Sequence, residues 1–239
     1  MVTGPPNGPV DVPDLVRAFA ERIDDVVWAN EIGGYTFVAG HRYLKWNPLG
    51  SGVDLADEQE RLHWARTLGH PVPEVLDLGR DDHGQVLVTR GLPGTGAVTG
   101  EWLERPEVAV RAIAQGLRAL HDKVPVAACP YRTPWIPRDA PHPDDGAVVL
   151  HGDACAPNTI IGPDGRFAGH VDLGAIGVGD RWADLAIASM SLDWNYGDGW
   201  QDAFFAAYDI ERDEERIAYY RAAWDGEALG GLADGGRRE

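Results

Sequence analysis

Apolar positions change period several times along the chain, and each change marks an element. From Asp11 to Ile23, residues Val12, Leu15, Val16, Phe19, Ala20 and Ile23 recur at helical spacing, which predicts a helix. Residues 1–10, rich in Pro and Gly, read as a frayed tail before it. From Val26 to Trp46 the pattern becomes β-type. Glu31 to Val38 and Arg42 to Trp46 flank Ala39-Gly40-His41, a hairpin signature. Asp54 to Leu68 is again helical and stops at Gly69. Glu74 to Gly79 and Gln85 to Thr89, on either side of the turn Asp81-Asp82-His83-Gly84, predict a second hairpin that completes a small antiparallel sheet.

Pro93-Gly94-Thr95-Gly96 then marks a boundary. Pro106 to His121 predicts a strong helix, with Val110, Ile113, Ala114, Leu117 and Leu120 on one face and proline suitably placed in the first turn. Residues 122–147 are interrupted by Pro125, Pro130, Pro134, Pro137, Pro141 and Pro143, so no helix is expected there. A short β run, Arg166 to Val171, follows the turn Pro163-Asp164-Gly165. Arg181 to Trp194, Trp200 to Tyr208 and Asp213 to Trp224 predict three more helices. Asp193 to Asp198 reads as a polar-aromatic loop able to wall a pocket, and the chain has no internal repeat.

Bulk properties narrow the possible functions. A chain of 239 residues can bury a substantial core, as one large domain or two small lobes. A net charge of −17 disfavours nucleic acid, which needs a basic footprint. It permits attraction of a cationic small substrate, and it equally serves solubility. No apolar run approaches membrane-spanning length and no export signal opens the chain, so a cytoplasmic protein without a membrane partner is expected. Cys129 and Cys155 lack metal-ligand spacing, which argues against zinc and against a disulfide framework. Cys155 reads as a small filler and not as a nucleophile.

The densest chemistry lies in residues 150–186. His151-Gly152-Asp153 is followed by Asn158, then by the turn, the β run and Asp172-Leu173-Gly174. A hairpin brings its ends together, so Asp153, Asn158 and Asp172 can converge. One carboxylate and one amide oxygen are adequate protein ligands for Mg²⁺, which prefers to keep phosphate and water oxygens as well. A second carboxylate can orient an acceptor hydroxyl. These are the parts that phosphoryl transfer needs.

These residues, with Gly179-Asp180-Arg181 and Asp184-Leu185-Ala186 in the same order, resemble the aminoglycoside phosphotransferase family, and the 3′-phosphotransferase branch most closely. The resemblance covers roughly residues 26–225. It implies an α+β, two-lobed, protein-kinase-like fold, with a small antiparallel-sheet N-lobe (1–92) and a mainly helical C-lobe (93–239). It implies nucleotide, ATP or GTP, bound between lobes, and an enzyme that moves the γ-phosphate to an aminoglycoside hydroxyl and so confers resistance. Asp153 would orient that hydroxyl, while Asn158 and Asp172 would hold Mg²⁺. Lys45 would meet the nucleotide phosphates. Its partner on the next helix is Glu58 or Glu60, and the family's Glu-x5-Trp pattern favours Glu58. Gly33 and Gly34 would let backbone amides approach phosphate, with Thr36 nearby, and Thr89 and Leu92 would fall near the adenine. His151 would shape the loop, and Asp180 and Asp184, polar groups near a helix start, would brace the loop and the helix by hydrogen bonds.

The acceptor side departs from the family. The 122–147 segment lacks most of the family's longer, helical and acidic insert, so Asp139, Asp144 and Asp145 take no role by resemblance. Asp225, Trp194 and Asp193 are the remaining candidates for acceptor contact, with Asp198 beside them. Trp224 stands where the family often has an acid. The shortened segment and the aromatics Trp135, Trp194 and Trp224 leave room for another acceptor: a nucleoside or peptide antibiotic, or a sugar. A nucleotide-binding pseudokinase is a third possibility, opposed by intact Lys45, Asp153, Asn158 and Asp172.

Overall fold

In the computed structural model, which describes residues 4–141 and 146–226, the β-type pattern after residue 24 folds as three antiparallel strands. These are β1 (Asp25–Ala29), β2 (Tyr35–Ala39) and β3 (Arg42–Pro48). The second hairpin supplies β4 (Glu74–Arg80) and β5 (Gly84–Arg90), and the five strands lie in the order β1-β2-β3-β5-β4. Side chains alternate across a strand. Phe37, Leu44, Val86 and Val88 therefore share one face, where they pack with Val16 and Ala20. Thr36 pairs with Lys45, and Thr89 pairs with Tyr43, two residues from Lys45, so Thr36, Lys45 and Thr89 share the other face.

Two helices serve this sheet. The first, α1, spans only Asp14–Phe19, shorter than the pattern predicts. Pro13 precedes it and the extended backbone of Ala20 ends it, because the chain must turn into β1. The second, α2 (Leu55–Thr67), is capped by the Asp54 carboxylate, which accepts from the Ala56 amide. The expected frayed tail is also corrected from residue 4 onward. Gly4 pairs with Ala29 through two backbone hydrogen bonds and extends the sheet edge.

The chain divides into two units, Met1–Leu92 and Pro93–Glu239, and the second is mainly helical. After the short β6 (Thr95–Gly96) and α3 (Gly100–Leu103), its centre is α4 (Pro106–Lys123), whose apolar stripe is buried as the periodicity requires. Then come β7 (Val148–Leu150), the hairpin β8 (Thr159–Ile161) and β9 (Phe167–His170), and β10 (Gly177–Gly179), which pairs with β7. The last helices are α5 (Arg181–Tyr196), α6 (Gln201–Tyr208) and α7 (Glu214–Trp224). Trp182, Leu185, Leu192, Phe204, Tyr208 and Ile217 close the core over α4.

Two local expectations are revised here. Asp193 to Tyr196 is the last turn of α5 and not a loop: the Gly197 amide donates to the Asp193 carbonyl at 3.1 Å, and Gly197, at φ +79°, ends the helix. The proline-rich segment contains one turn of 3₁₀ helix, Val126–Ala128. Asp144, Asp145 and the glycine-rich tail from residue 227 lie outside the described residues. Among the described residues no helix is long and apolar enough to cross a membrane.

Candidate active site

Pairing of β7 with β10 and of β8 with β9 brings three separate stretches of sequence together. Strand β7 delivers His151-Gly152-Asp153, and β9 delivers Asp172. The Val171 amide donates to the Asn158 carbonyl at 3.0 Å, joining the two loops next to the acidic residues. Asn158 Nδ2 donates to the Asp153 carbonyl at 2.9 Å and to its carboxylate at 3.0 Å. Both amide donors of Asn158 are thus directed to Asp153, which leaves Oδ1 as the side chain's acceptor. Asp172 adopts φ +60°, a left-handed conformation that Asp tolerates better than most residues. Burial, and then the nearby Asp172 carboxylate, hold the Asp153 pKa above the usual carboxylate range.

The backbone beneath Asp153 is held from α5. Asp184, wholly buried, accepts from the His151 amide at 2.6 Å and the Gly152 amide at 2.9 Å. Gly152 must be glycine: its φ is +81°, and a Cβ there would lie 2.0 Å from the Ala175 carbonyl oxygen. His151 Nε2 meets the Val171 carbonyl at 3.0 Å and its Nδ1 accepts from the Asp153 amide at 3.3 Å, so the ring shapes the loop. Asp180, by contrast, caps α5 at the Trp182 amide and pairs with Arg216 of α7.

Behind Asp184 a buried relay runs into the core. His121 at the end of α4 meets Asp184 through Nε2 at 3.0 Å, and its Nδ1 meets the Tyr208 hydroxyl at 2.6 Å. A carboxylate only accepts, so His121 Nε2 carries a proton toward Asp184. Replacing Asp184 by alanine leaves three buried donors without an acceptor, at 1–3 kcal/mol each. We expect Asp184→Ala to lose on the order of 4 kcal/mol of stability in urea unfolding. A loss below about 1 kcal/mol would show that water replaces the carboxylate.

Cys155 sits between Asp153 and Ser191, and burial, reinforced by the Asp153 charge, pushes its thiol pKa far up. It is therefore not a thiolate nucleophile. Ser191 Oγ accepts from the Ala156 amide at 2.9 Å, so α5 backs the loop over much of its length.

In the N-terminal unit, Lys45 Nζ lies 2.8 Å from Glu58 Oε2. Glu58 is buried and Glu60 exposed, which decides between them. Gly33 and Gly34 differ from expectation. Their amides donate to the Asn30 carbonyl and to Asn30 Oδ1, so both are satisfied inside the turn and not turned outward to a phosphate. Gly34 is required by packing, since a Cβ would lie 2.1 Å from Asn47 Oδ1 and 2.6 Å from the Trp46 carbonyl oxygen. Thr36 and Thr89 flank Lys45 on its face of the sheet, and Leu92 closes the unit half-buried.

The acceptor candidates scatter. Asp193 accepts from Gln201 Nε2, Trp194 is 61% exposed, and Asp225 is the exposed C-cap of α7. Asp193, Asp198 and Asp202 line an open depression of about 300 Å³ with Gln201 and Arg212, and Arg212 pairs with Asp202 at 2.8 Å. Trp135, read from the sequence as an acceptor-side aromatic, meets the loop instead, a contact that sequence reasoning missed. Its indole N–H donates to the Gly152 carbonyl at 2.6 Å, and nothing periodic in the surrounding sequence marks it.

The donor set can be tested against a divalent cation. Among the described residues no cluster of three or more His, Cys, Asp or Glu could hold a metal. Asp172 with the remaining acceptor of Asn158 still fits Mg²⁺, which takes few protein ligands when phosphates supply the rest. The mutual repulsion of Asp153 and Asp172 is what a bound cation would relieve.

The sequence pattern of the phosphotransferase enzyme family matches residues 17–142 and 133–220. An aminoglycoside 3′-phosphotransferase of Streptomyces fradiae is 33% identical over 73% of this chain and 80% of its own. The streptomycin 3″-kinase of Streptomyces griseus is 32% identical over 81% of this chain and 88% of its own. Among solved structures, the aminoglycoside phosphotransferase APH(3″)-Id from Streptomyces rimosus superposes with a TM-score of 0.72 at 26% identity, over 89% of this chain and 96% of that one. Its complex with ADP and streptomycin superposes at 0.69.

Proposed function

Because this chain belongs to the phosphotransferase enzyme family, with its two-lobed protein-kinase-like fold, we propose that it transfers the γ-phosphate of ATP or GTP, with Mg²⁺, to a hydroxyl of an aminoglycoside antibiotic. The chain is a nucleotide-dependent O-phosphotransferase acting on a small hydroxylated acceptor. The observation that carries the reading is the Asp153–Asn158–Asp172 constellation, in which Asn158 holds the Asp153 carboxylate at 3.0 Å while its own oxygen is left for a cation.

In this reading Asp153 accepts the acceptor hydroxyl's hydrogen bond and orients its oxygen for in-line attack. Asn158 and Asp172 hold Mg²⁺, which when bound neutralises charge on the nucleotide phosphates. Lys45, held by Glu58, binds phosphate oxygens, and Thr36 and Thr89 lie on the same face of the sheet. Asp184 and His151 keep the loop in place without touching substrate. The acidic depression with Asp193 and Asp198 supports a cationic acceptor.

The two relatives phosphorylate different positions by name, 3′ and 3″, at nearly equal identity. The reading therefore includes streptomycin beside acceptors with a free 3′-hydroxyl. The test is release of ADP or GDP with Mg²⁺ against both groups of aminoglycosides, and against nucleoside and peptide antibiotics and sugars, with product position read by phosphorus NMR. Turnover of an aminoglycoside, abolished in Asp153→Ala, is the expected result. Turnover confined to another class keeps the chemistry and replaces the acceptor, and nucleotide binding without turnover of any acceptor overturns the reading.

A further inference from the structure

The proline-rich segment after α4 sends one side chain to the loop that carries Asp153. Trp135 Nε1 donates to the Gly152 carbonyl at 2.6 Å. That carbonyl belongs to the peptide group joining Gly152 to Asp153. The other polar group of Gly152, its amide, is held by Asp184 at 2.9 Å, so Gly152 is tied from both sides. The Asp153 amide, on the same peptide as the carbonyl, makes only a long contact of 3.3 Å to His151 Nδ1. Glycine has the widest backbone freedom of any residue, so the orientation of this peptide depends on its hydrogen bonds.

The indole is in turn placed by α7. Its ring meets Trp224 edge-on, with centroids 5.1 Å apart and planes at 85°, and meets Tyr220 at 6.4 Å and 86°. Trp135 is only half-buried, so burial alone does not oblige its N–H to seek a protein acceptor. The parallel bridge of Arg132 with Val178 anchors the segment just before it.

We propose that Trp135 is a positioning residue for phosphoryl transfer, fixing the Gly152–Asp153 peptide and through it the aim of the Asp153 carboxylate, with Trp224 setting where the indole lies. The proposal rests on the role given to Asp153 above. It gives the shortened segment a part in the chemistry and links the end of α7 to the catalytic loop. Small misplacement of a reacting group is costly because catalysis depends on orientation.

The test is Trp135→Phe, which keeps a ring against Trp224 and removes the N–H. Two readouts are taken: steady-state kinetics on the acceptor with highest turnover, and hydrogen exchange of residues 150–158 by mass spectrometry. We expect kcat to fall about tenfold, the nucleotide KM to stay within about twofold, and loop exchange to rise about tenfold while exchange in α4 stays unchanged. Trp224→Leu should act in the same direction, and the double variant should be no slower than Trp135→Phe alone. Unchanged loop exchange, or unchanged kcat in the folded variant, overturns the proposal. Faster loop exchange in a protein whose wild type turns over no acceptor overturns the role of Asp153 and with it the catalytic part of this proposal, while supporting the Trp135 contact.

Discussion

Asp153→Asn is expected to lower kcat about a thousandfold, in line with the loss of a positioned proton acceptor, while making the metal-free protein more stable at neutral pH. The two effects have one cause. Burial and the Asp172 carboxylate raise the Asp153 pKa above 3.8, its ordinary value. The folded protein therefore holds this proton more tightly than the unfolded chain does. The associated stability is complete below about pH 3.8 and is lost as pH rises through the folded value. At neutral pH, without a cation, the ionised carboxylate destabilises the fold, and asparagine, which cannot ionise, removes that cost. Urea midpoints in chelator at pH 7 should rise for the variant, and the gain should vanish under strongly acidic conditions. A midpoint that falls, or a kcat within about tenfold of wild type, would remove Asp153 from the role assigned to it.

The second large effect is expected at Asp172. Asparagine tolerates the left-handed backbone at φ +60°, so Asp172→Asn should fold normally while losing the charge. We expect kcat to drop on the order of a hundredfold and the Mg²⁺ concentration for half-maximal rate to rise about tenfold or more, with partial recovery at high Mg²⁺. Asp172→Ala should add a backbone cost of roughly 1 kcal/mol, since alanine lacks the polar side chain that makes this conformation tolerable. An Asp172→Asn enzyme with wild-type Mg²⁺ dependence would contradict the ligand role.

The candidate catalytic stretch was legible because its information is local. Asp153, Asn158 and Asp172 flank one hairpin, and hairpin geometry follows from a proline-glycine turn between β runs. The lysine strand and its following helix were legible for the same reason. Choosing between Glu58 and Glu60 was harder, because both lie on one helix and only the packing of α2 shows which one is buried.

Other features required partners distant in the chain. Asp184 was expected to brace the loop, but which groups it holds, the amides 32 and 33 residues earlier, was not legible. Gly33 and Gly34 looked like a phosphate loop until Asn30 took both their amides and Asn47 filled the space beside Gly34. The aromatic run at 193–196 looked like a loop, yet α5 runs through it to Gly197, whose amide closes on the Asp193 carbonyl.

The sequence by itself determined the strands of the N-terminal sheet, the longer helices with their apolar faces, and the candidate chemistry of residues 150–186. Periodicity and turn residues constrain the backbone over a few residues, and the motif's spacing is short. Only the tertiary structure decided which donor meets which acceptor: Asp184 under the loop, His121 and Tyr208 behind it, and Trp135 on the Gly152 carbonyl. Hydrogen bonds between distant segments leave no period in the sequence, because either partner would look equally ordinary if it faced water.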